Sequence, residues 1–146
     1  MYRMVDIGSK KPISRSAIAR GILKLKKESI RRIVDGRVSK GDPFKVAEIA
    51  GISAAKKTWE LIPLCHQIPL ESVKVRFRVE EDHITCECEV KANYKTGVEM
   101  DALVGVSIAL LTVWDMIKEF EKDEKGQYPE IRIESIEVVE KRKGGE

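Results

Sequence analysis

Carboxylates and lysines stand close together near the end of a long apolar segment of the chain. Asp115 precedes Lys118 by three positions, so both side chains lie on one face of a predicted helix. Such a pair can exchange protons with a bound substrate. It can equally be a structural ion pair, because a carboxylate flanked by Trp114 and Met116 is costly to bury unless it is paired. The residues alone leave both interpretations open.

A second acidic group stands at the predicted start of the same helix. Glu99 and Asp101 follow Gly97, and a helix start that contains glycine and free backbone N–H groups is a natural anion site. Thr96 and Glu99 also have the spacing of a capping box, which favours a structural role for Glu99. Asp101 and Asp115 are separated by roughly 21 Å along a straight helix. If both are functional, we therefore expect a site shared between subunits.

Cationic residues and one histidine complete the set of candidate functional groups. Lys40 precedes Gly41 in a predicted loop, where glycine lets a ligand approach the backbone closely. His66 belongs to a short loop bracketed by prolines, which is poorly suited to a buried structural role. Arg15 and Lys141 lie near the ends of two weakly patterned segments. Because the chain has 27 lysines and arginines, any one of them taken alone is most simply a solvated surface residue.

The composition predicts a single soluble domain that comprises residues 1–146, with segments 1–12 and 142–146 as candidate mobile ends. Of the 146 residues, 42% are hydrophobic and 35% are charged. A domain of this length can bury roughly two thirds of the surface that its unfolded chain exposes. The net charge of +3 is too small to indicate nucleic-acid binding, but it suits one local cationic pocket for an anionic small molecule.

Cysteine content and hydropathy favour a cytoplasmic protein that neither spans a membrane nor holds a metal. Cys65, Cys86 and Cys88 are an odd number, which argues against a disulfide framework, and no second C-x-C pair completes a four-ligand zinc site. Cys86 and Cys88 are expected to be buried on one face of a strand. The uncharged apolar segment 102–114 is shorter than the ~20 residues that span a bilayer, and the N-terminus lacks the apolar core of a signal peptide.

Hydrophobic periodicity predicts an α+β domain. Segments that alternate with a period of two, and are therefore predicted strands, are 15–25, 73–79, 84–90 and 131–139. Segments with helical spacing are 27–34, 43–50, 53–61 and 97–122. We expect a bulge near Ser135, where the phase shifts, an N-terminal cap at Asp42 and a helix break at Gly51. The order β-α-β-β-α-β is that of a ferredoxin-like fold, an antiparallel four-stranded sheet with helices packed on one face.

The last predicted helix is apolar almost all round between residues 98 and 120. A helix on the surface of a small monomer has a single apolar stripe. This helix must therefore cover the sheet and also meet a second surface, most simply another copy of the chain. The sequence thus predicts a homo-oligomer.

Five segments form a set that spans nearly the whole chain: 4–6, 40–42, 50–66, 95–103 and 115–118. Their sequences resemble molybdenum cofactor biosynthesis protein C, the family of the cyclic pyranopterin monophosphate synthases. The resemblance implies a lyase that converts 3′,8-cyclo-7,8-dihydroguanosine 5′-triphosphate into cyclic pyranopterin monophosphate and releases pyrophosphate. It also implies a ferredoxin-like fold and a homohexamer, built as a trimer of dimers, with active sites at subunit interfaces.

The resemblance also implies a role for each candidate residue. Asp115 would be the catalytic aspartate, with Lys40 and Lys118 as essential lysines. Those implied to bind substrate or line its pocket are Leu64, Cys65, His66, Met100, Asp101, Glu99, Arg15 and Lys141. The family usually has glutamate where Asp101 stands, so this carboxylate reaches less far by one methylene group.

The implied reaction suits these residue types. Clustered lysines and arginines can hold a triphosphate and stabilise a pyrophosphate leaving group. A carboxylate, a lysine and a histidine can supply the proton transfers that opening and closing of purine-derived rings require. The sequence requires no cofactor, and Mg²⁺ that accompanies the triphosphate is neither required nor excluded.

Two other classes of protein remain open. Lys74, Arg76 and Arg78 share one strand face, as in RNA-binding modules of ferredoxin-like fold. Such a module needs exposed aromatic rings on that face for base stacking, whereas Phe77 falls on the opposite one. A purely structural oligomeric subunit would explain the apolar helix but leaves Asp115 without a role.

Overall fold

An antiparallel sheet with the strand order β2-β3-β1-β4 carries helices on one face. The structure, a computed structural model, describes residues 1–144. In chain order the elements are β1 (Ile13–Lys24), α1 (Lys27–Val34), α2 (Pro43–Ala55), α3 (Thr58–Leu61), β2 (Ser72–Val79), β3 (His83–Tyr94), α4 (Glu99–Glu121) and β4 (Arg132–Lys143). The predicted α+β class and β-α-β-β-α-β order are confirmed, with three short helices in the first helical position.

Alternation along the strands separates a helix-covered face from an open face. In β3, Ile84, Cys86 and Cys88 are fully buried, whereas the residues between them are half-buried. The two cysteines are therefore small apolar core residues, as the sequence predicts. On the open face, Arg20 donates to Glu87 at 2.6 Å, so basic side chains there pair with acidic ones.

The aromatic ring of β2 lies on the helix-covered side. Phe77 stacks on Phe44 of α2 with 4.7 Å between ring centroids. Its neighbour Arg76 lies on the open face, where its guanidinium reaches Glu87 at 3.4 Å and Glu89 at 3.5 Å. The predicted separation of the ring from the basic residues is confirmed, and the ring of Phe77 is therefore not available to stack with RNA bases.

Two glycines allow α2 and α4 to cross closely. A Cβ atom on Gly51 would lie 3.0 Å from the carbonyl oxygen of Gly105, and one on Gly105 would lie 2.6 Å from Sγ of Cys88. The prediction that Gly51 ends a helix is wrong, because this glycine serves helix packing and α2 continues to Ala55. The predicted helix 53–61 is wrong for the same reason, since its first residues belong to α2 and α3 begins at Thr58.

The edge strand β4 contains the bulge that the sequence predicts near Ser135. Ile133 lies opposite Leu23 and Ser135 opposite Ile22, the next residue of β1. Glu134 is therefore the extra residue of the bulge.

A second bulge in β4 was not predicted, and it determines where Lys141 points. Ala19 lies opposite Val138 and Ile18 opposite Glu140, so Val139 is an extra residue. The bulge brings Lys141 opposite Ala17, whose side chain is buried under the helices. Residues directly opposite each other share a face, so Lys141 lies on the helix-covered face.

One side of α4 is buried and another side remains partly exposed. Leu110 is fully buried, whereas the next residue, Leu111, is 48% exposed. By length and hydropathy α4 could cross a membrane, which is weak evidence for a single helix, and half of its most apolar window is buried within this fold. Exposed apolar residues of α4 such as Leu111 agree with the predicted oligomer. The oligomer itself stays a prediction.

Of the two ends expected to be mobile, the C-terminal one begins within a strand. Within the described residues, segment 1–12 contributes no helix or strand, and β1 begins at Ile13. At the other end, Arg142 and Lys143 belong to β4, whereas residues 145 and 146 lie outside the described part of the chain. The mobility of both ends stays a prediction.

We expect Gly105→Ala to lower the free energy of unfolding. The new methyl group would overlap Cys88 and approach the backbone of Gly51 at 3.2 Å, and a backbone carbonyl cannot rotate away. Overpacking of this kind costs about 1–3 kcal/mol, against a gain of roughly 1 kcal/mol in helix propensity. Urea unfolding monitored by circular dichroism measures the net loss.

Gly8→Ala is the matched control. Its Cβ atom would meet only the Asp6 carboxylate, at 3.1 Å, and that exposed side chain can move. Equal stability of the two variants would contradict the close helix crossing.

Candidate active site

Eight of the eleven predicted site residues lie in two clusters at opposite ends of α4. The N-end cluster, at the start of the helix, consists of Arg15, Cys65, Glu99, Asp101 and Lys141. The C-end cluster, in its last turns, consists of Lys40, Asp115 and Lys118. Because α4 is continuous, roughly 21 Å of helix separates Asp101 from Asp115. Within one chain the two clusters do not form one site.

Asp101 is a nearly buried acid at the centre of the N-end cluster. Only 3% of its surface is exposed, and burial raises the pKa of its carboxyl group to about 6. Its own backbone N–H and the hydroxyl of Thr58 partly oppose this effect on the pKa, whereas the charge of Glu99 adds to it. Its Oδ2 finds no hydrogen-bond partner among residues 1–144. The carboxyl group can therefore change protonation near neutral pH and accept a further donor.

Glu99 forms an ion pair rather than a cap. The Nζ of Lys141 lies 3.3 Å from Oε1 of Glu99, whereas the buried Oε2 has no partner in the described part of the chain. The predicted capping box with Thr96 is wrong, because Val98 occupies the N-cap position and Thr96 stays outside the helix. The ion pair between Glu99 and Lys141 thus joins strand β4 to the start of α4.

Arg15 is a buried cation that holds the segment before α4. Its side chain is 8% exposed, and its guanidinium donates to the carbonyls of Tyr94 and Lys95, each at 3.4 Å. No carboxylate among residues 1–144 forms a salt bridge with it. The positive charge of Arg15 is therefore not neutralised by a direct acidic partner and remains available to an anion.

The loop between α3 and β2 brings a thiol to the N-end cluster. Burial raises the pKa of Cys65, and the charge of Asp101 adds to this effect, so the thiol stays protonated and is a poor nucleophile. Nε2 of His66 donates to the carbonyl of Val5 at 2.6 Å and ties the N-terminal segment to this loop. Leu64 and Met100 are partly exposed, at 48% and 38%.

In the C-end cluster, two lysines from separate elements surround one carboxylate. The Nζ of Lys118 lies 3.0 Å from Oδ1 of Asp115, and Nζ of Lys40 donates to the backbone carbonyl of Asp115 at 3.1 Å. The hydrogen bond and charge of Lys118, with the charge of Lys40, hold the pKa of Asp115 below its usual value. Asp115 in turn raises the pKa of Lys118. The predicted ion pair is confirmed.

Asp115 lies in a different environment from the one that the sequence indicates. Its flanking residues predict a carboxylate inside an apolar face, but its side chain is 63% exposed. The buried stripe of α4 passes instead through Val113, Met116 and Ile117. The lysines therefore do not compensate for burial, and the group is accessible to a ligand.

Two residues beside the clusters were missed by sequence reasoning. Thr58 is fully buried, and its single hydroxyl proton has two acceptors within reach, the Ala55 carbonyl at 2.9 Å and Asp101. Tyr128 packs edge-to-face on Trp114 at 5.4 Å and lies beside Lys118. Thr58 falls within the 50–66 motif, which could have revealed it. Tyr128 reaches α4 from the following loop, and no local pattern indicates this contact.

The described residues also bear on metal binding. Within residues 1–144, no three histidine, cysteine, aspartate or glutamate side chains gather into a group that could hold a metal ion. Glu99 and Asp115 pair with lysines instead.

Comparisons with known sequences match nearly the whole chain. The sequence profile of the MoaC family matches residues 4–144. A protein of Pyrococcus furiosus named "Probable cyclic pyranopterin monophosphate synthase" is 58% identical over 141 residues, which cover 97% of this chain and 90% of that protein. Proteins of the same name are 57% identical in Thermococcus kodakarensis (99% and 92% covered) and 52% identical in Saccharolobus solfataricus (97% and 95% covered).

We expect Asp101→Asn to change the pH dependence of stability. The pKa of Asp101, about 6 in the folded protein, exceeds its unfolded value of about 3.9. Folding therefore favours the protonated form, whose contribution is complete below about pH 4 and is lost as the pH rises through about 6. The unfolding temperature of Asp101→Asn, relative to wild type, should thus rise between pH 4 and pH 6 and then level off.

Asp115→Asn is the control for this measurement. The neighbouring lysines lower the pKa of Asp115. The ionised form of Asp115 therefore contributes to stability down to about pH 4, and this contribution is lost only below that pH. Its unfolding temperature relative to wild type should be constant between pH 4 and pH 7. An Asp101→Asn profile parallel to that of wild type would show that Asp101 titrates normally.

Proposed function

Because the chain belongs to the MoaC family, we propose that it is a cyclic pyranopterin monophosphate synthase of molybdenum cofactor biosynthesis. The substrate is 3′,8-cyclo-7,8-dihydroguanosine 5′-triphosphate, and the products are cyclic pyranopterin monophosphate and pyrophosphate. One observation carries the proposal: Lys40, from a distant loop, meets the Asp115–Lys118 pair on an exposed surface. A structural ion pair does not need this second lysine, whereas a polyanionic substrate does.

The C-end cluster can supply acid–base catalysis and bind phosphate. Asp115 is ionised at neutral pH, as the lysines that lower its pKa ensure, and an ionised carboxylate is a proton acceptor. Lys118 is held in its ammonium form by Asp115 and can stabilise negative charge on a leaving phosphate. Lys40 donates to one carbonyl, and its ammonium group has two further N–H donors for phosphate oxygens.

The N-end cluster suits the purine-derived end of the substrate. Oε2 of Glu99 and Oδ2 of Asp101 are buried acceptors without partners within residues 1–144. Leaving such groups unsatisfied costs free energy, which ring N–H donors of a ligand would recover. Arg15 and Lys141 line the same end of the site, and the neutral thiol of Cys65 contributes a contact rather than a nucleophile.

The two clusters would act together across subunit interfaces of a homohexamer, a trimer of dimers. Catalytic groups must lie within hydrogen-bond reach of the same substrate, and one chain separates its clusters by roughly 21 Å. The second support is a cavity of about 280 Å³ with an apolar lining that includes Leu61, Ile62, Met100, Leu103 and Ile136. An exposed apolar groove beside the N-end cluster is suited to burial against another copy of the chain.

The proposed enzyme needs no resident cofactor, since its substrate carries the groups that rearrange. Mg²⁺ bound with the triphosphate is compatible with the lysine-rich site and is tested by titration of the ion. A cytoplasmic location is in keeping with the free thiols of Cys65, Cys86 and Cys88.

We expect the purified protein to form cyclic pyranopterin monophosphate and pyrophosphate from the cyclic dihydro-GTP. Asp115→Asn and Lys118→Met should each lower turnover about 10²-fold or more, the scale of lost acid–base catalysis. Lys40→Ala should do likewise. Because these groups are exposed, unfolding temperatures should change little. Product is measured by chromatography and pyrophosphate release by a coupled assay.

The control removes an exposed ion pair elsewhere. Lys27 and Glu81 pair at 3.1 Å with both side chains more than half exposed, so Glu81→Gln should keep wild-type turnover. A folded wild-type protein that forms neither product, at any pH or Mg²⁺ concentration tested, would refute the proposed function.

Mixed oligomers test the shared site. Asp101→Ala chains lose the N-end cluster and Lys118→Met chains lose the C-end cluster, so each homo-oligomer should be inactive. Co-refolded mixtures should recover activity, because some interfaces then combine two intact clusters. The hexamer itself is measured by light scattering. Mixed oligomers of verified composition that stay inactive would mean that one chain provides both clusters.

A further inference from the structure

Glu121, in the last turn of α4, is a fully buried carboxylate that the proposed chemistry does not use. Its exposure is 0%. Its Oε2 accepts hydrogen bonds from the hydroxyl of Ser29 and, at 3.0 Å, from the backbone N–H of Lys26. Its Oε1 has no partner among the described residues. Burial of a carboxylate is costly unless its contacts are needed.

These contacts fasten the start of α1 to the end of α4. Lys26 occupies the N-cap position of α1, and its side chain makes no capping hydrogen bond within residues 1–144. Glu121 therefore takes the place of a cap and satisfies one of the free N–H groups at this helix start. The two helices meet at a second point, where the guanidinium of Arg32 on α1 lies 4.4 Å from the centre of the Phe120 ring on α4.

The segment that follows α1 carries Lys40 to the C-end cluster. It comprises residues 35–42 and contains two glycines with positive φ, Gly36 at 69° and Gly41 at 119°. Such backbone angles strongly favour glycine. The side chain of Asp42 accepts from the backbone N–H of Phe44 and fixes the far end of the segment to α2. The position of Lys40 is thus set by the helices on either side.

We propose that Glu121 is a positioning residue for Lys40. It anchors α1 to α4 and so holds segment 35–42 where Nζ of Lys40 meets Asp115. Glu121 itself does not touch the substrate. The contact with Lys40 rests on the structure, and only the effect on turnover rests on the proposed function.

The test compares three variants of the full chain. Glu121→Met keeps the volume of the side chain and removes the acceptor. Glu121→Gln keeps one oxygen acceptor and should restore most of the lost anchoring. Glu119→Met is the matched control, because Glu119 is exposed and lies two residues away on α4.

Hydrogen–deuterium exchange followed by mass spectrometry reports the anchoring without any substrate. In Glu121→Met, the amides of segment 35–42 should exchange several-fold faster than in wild type, whereas those of α2 and β3 keep their rates. Glu119→Met should match wild type throughout. Unchanged exchange in segment 35–42 would refute the proposal. Acceleration of the same size in α2 and β3 would also refute it, since Glu121 would then serve overall stability.

Turnover provides a second, independent readout. Misplacement of a catalytic group by about 1 Å can cost on the order of 10²-fold in rate, so kcat of Glu121→Met should fall by about this factor with little change in KM. Lys40→Ala should then cause little further loss in the Glu121→Met background. Losses that simply multiply would contradict a pathway through Lys40. An inactive wild-type protein would refute the proposed function and leave the exchange result to decide the anchoring.

Discussion

The close crossing of α2 and α4 is the contact on which the placement of the functional groups depends. Because neither Gly51 nor Gly105 has a Cβ atom, α4 can lie against α2 and against Cys88 of the sheet at the same time. The C-end cluster depends on this contact from both sides, since α2 begins directly after the Lys40 loop and α4 carries Asp115. A small displacement of either helix would change the geometry of both clusters.

The two ends of α4 place their carboxyl groups in opposite electrostatic environments. Asp101 is buried, which raises its pKa to about 6, whereas Asp115 is exposed beside two lysines that lower its pKa. Environments that push the pKa values of two acids apart are a common basis for separate acid and base roles. A substrate in contact with both clusters would meet one carboxyl group that can give a proton near neutral pH and one that can take it.

Most of the fold could be predicted because its signals are local. Alternation identifies the strands, and Asp42 followed by proline identifies the start of α2. Predictions failed where distant residues decide the outcome. Gly51 stays within a helix because another helix packs on it, and Glu99 pairs with Lys141 instead of completing a cap. For the site, helix geometry predicts the distance between the two ends, but the burial of Asp101 depends on tertiary contacts that no local pattern contains.

The bulge at Val139 makes spacing as important as residue type in β4. Lys141 reaches Glu99 because the bulge at Val139 adds to β4 one residue that has no partner in β1. Loss of that residue would turn the lysine to the open face without changing any side chain of the site. A related chain could thus have a lysine that aligns with Lys141 and still lack the ion pair with Glu99. It could equally supply the cation from a neighbouring position. In β4, the number of residues between the bulge and the lysine therefore determines which face of the sheet carries the cation.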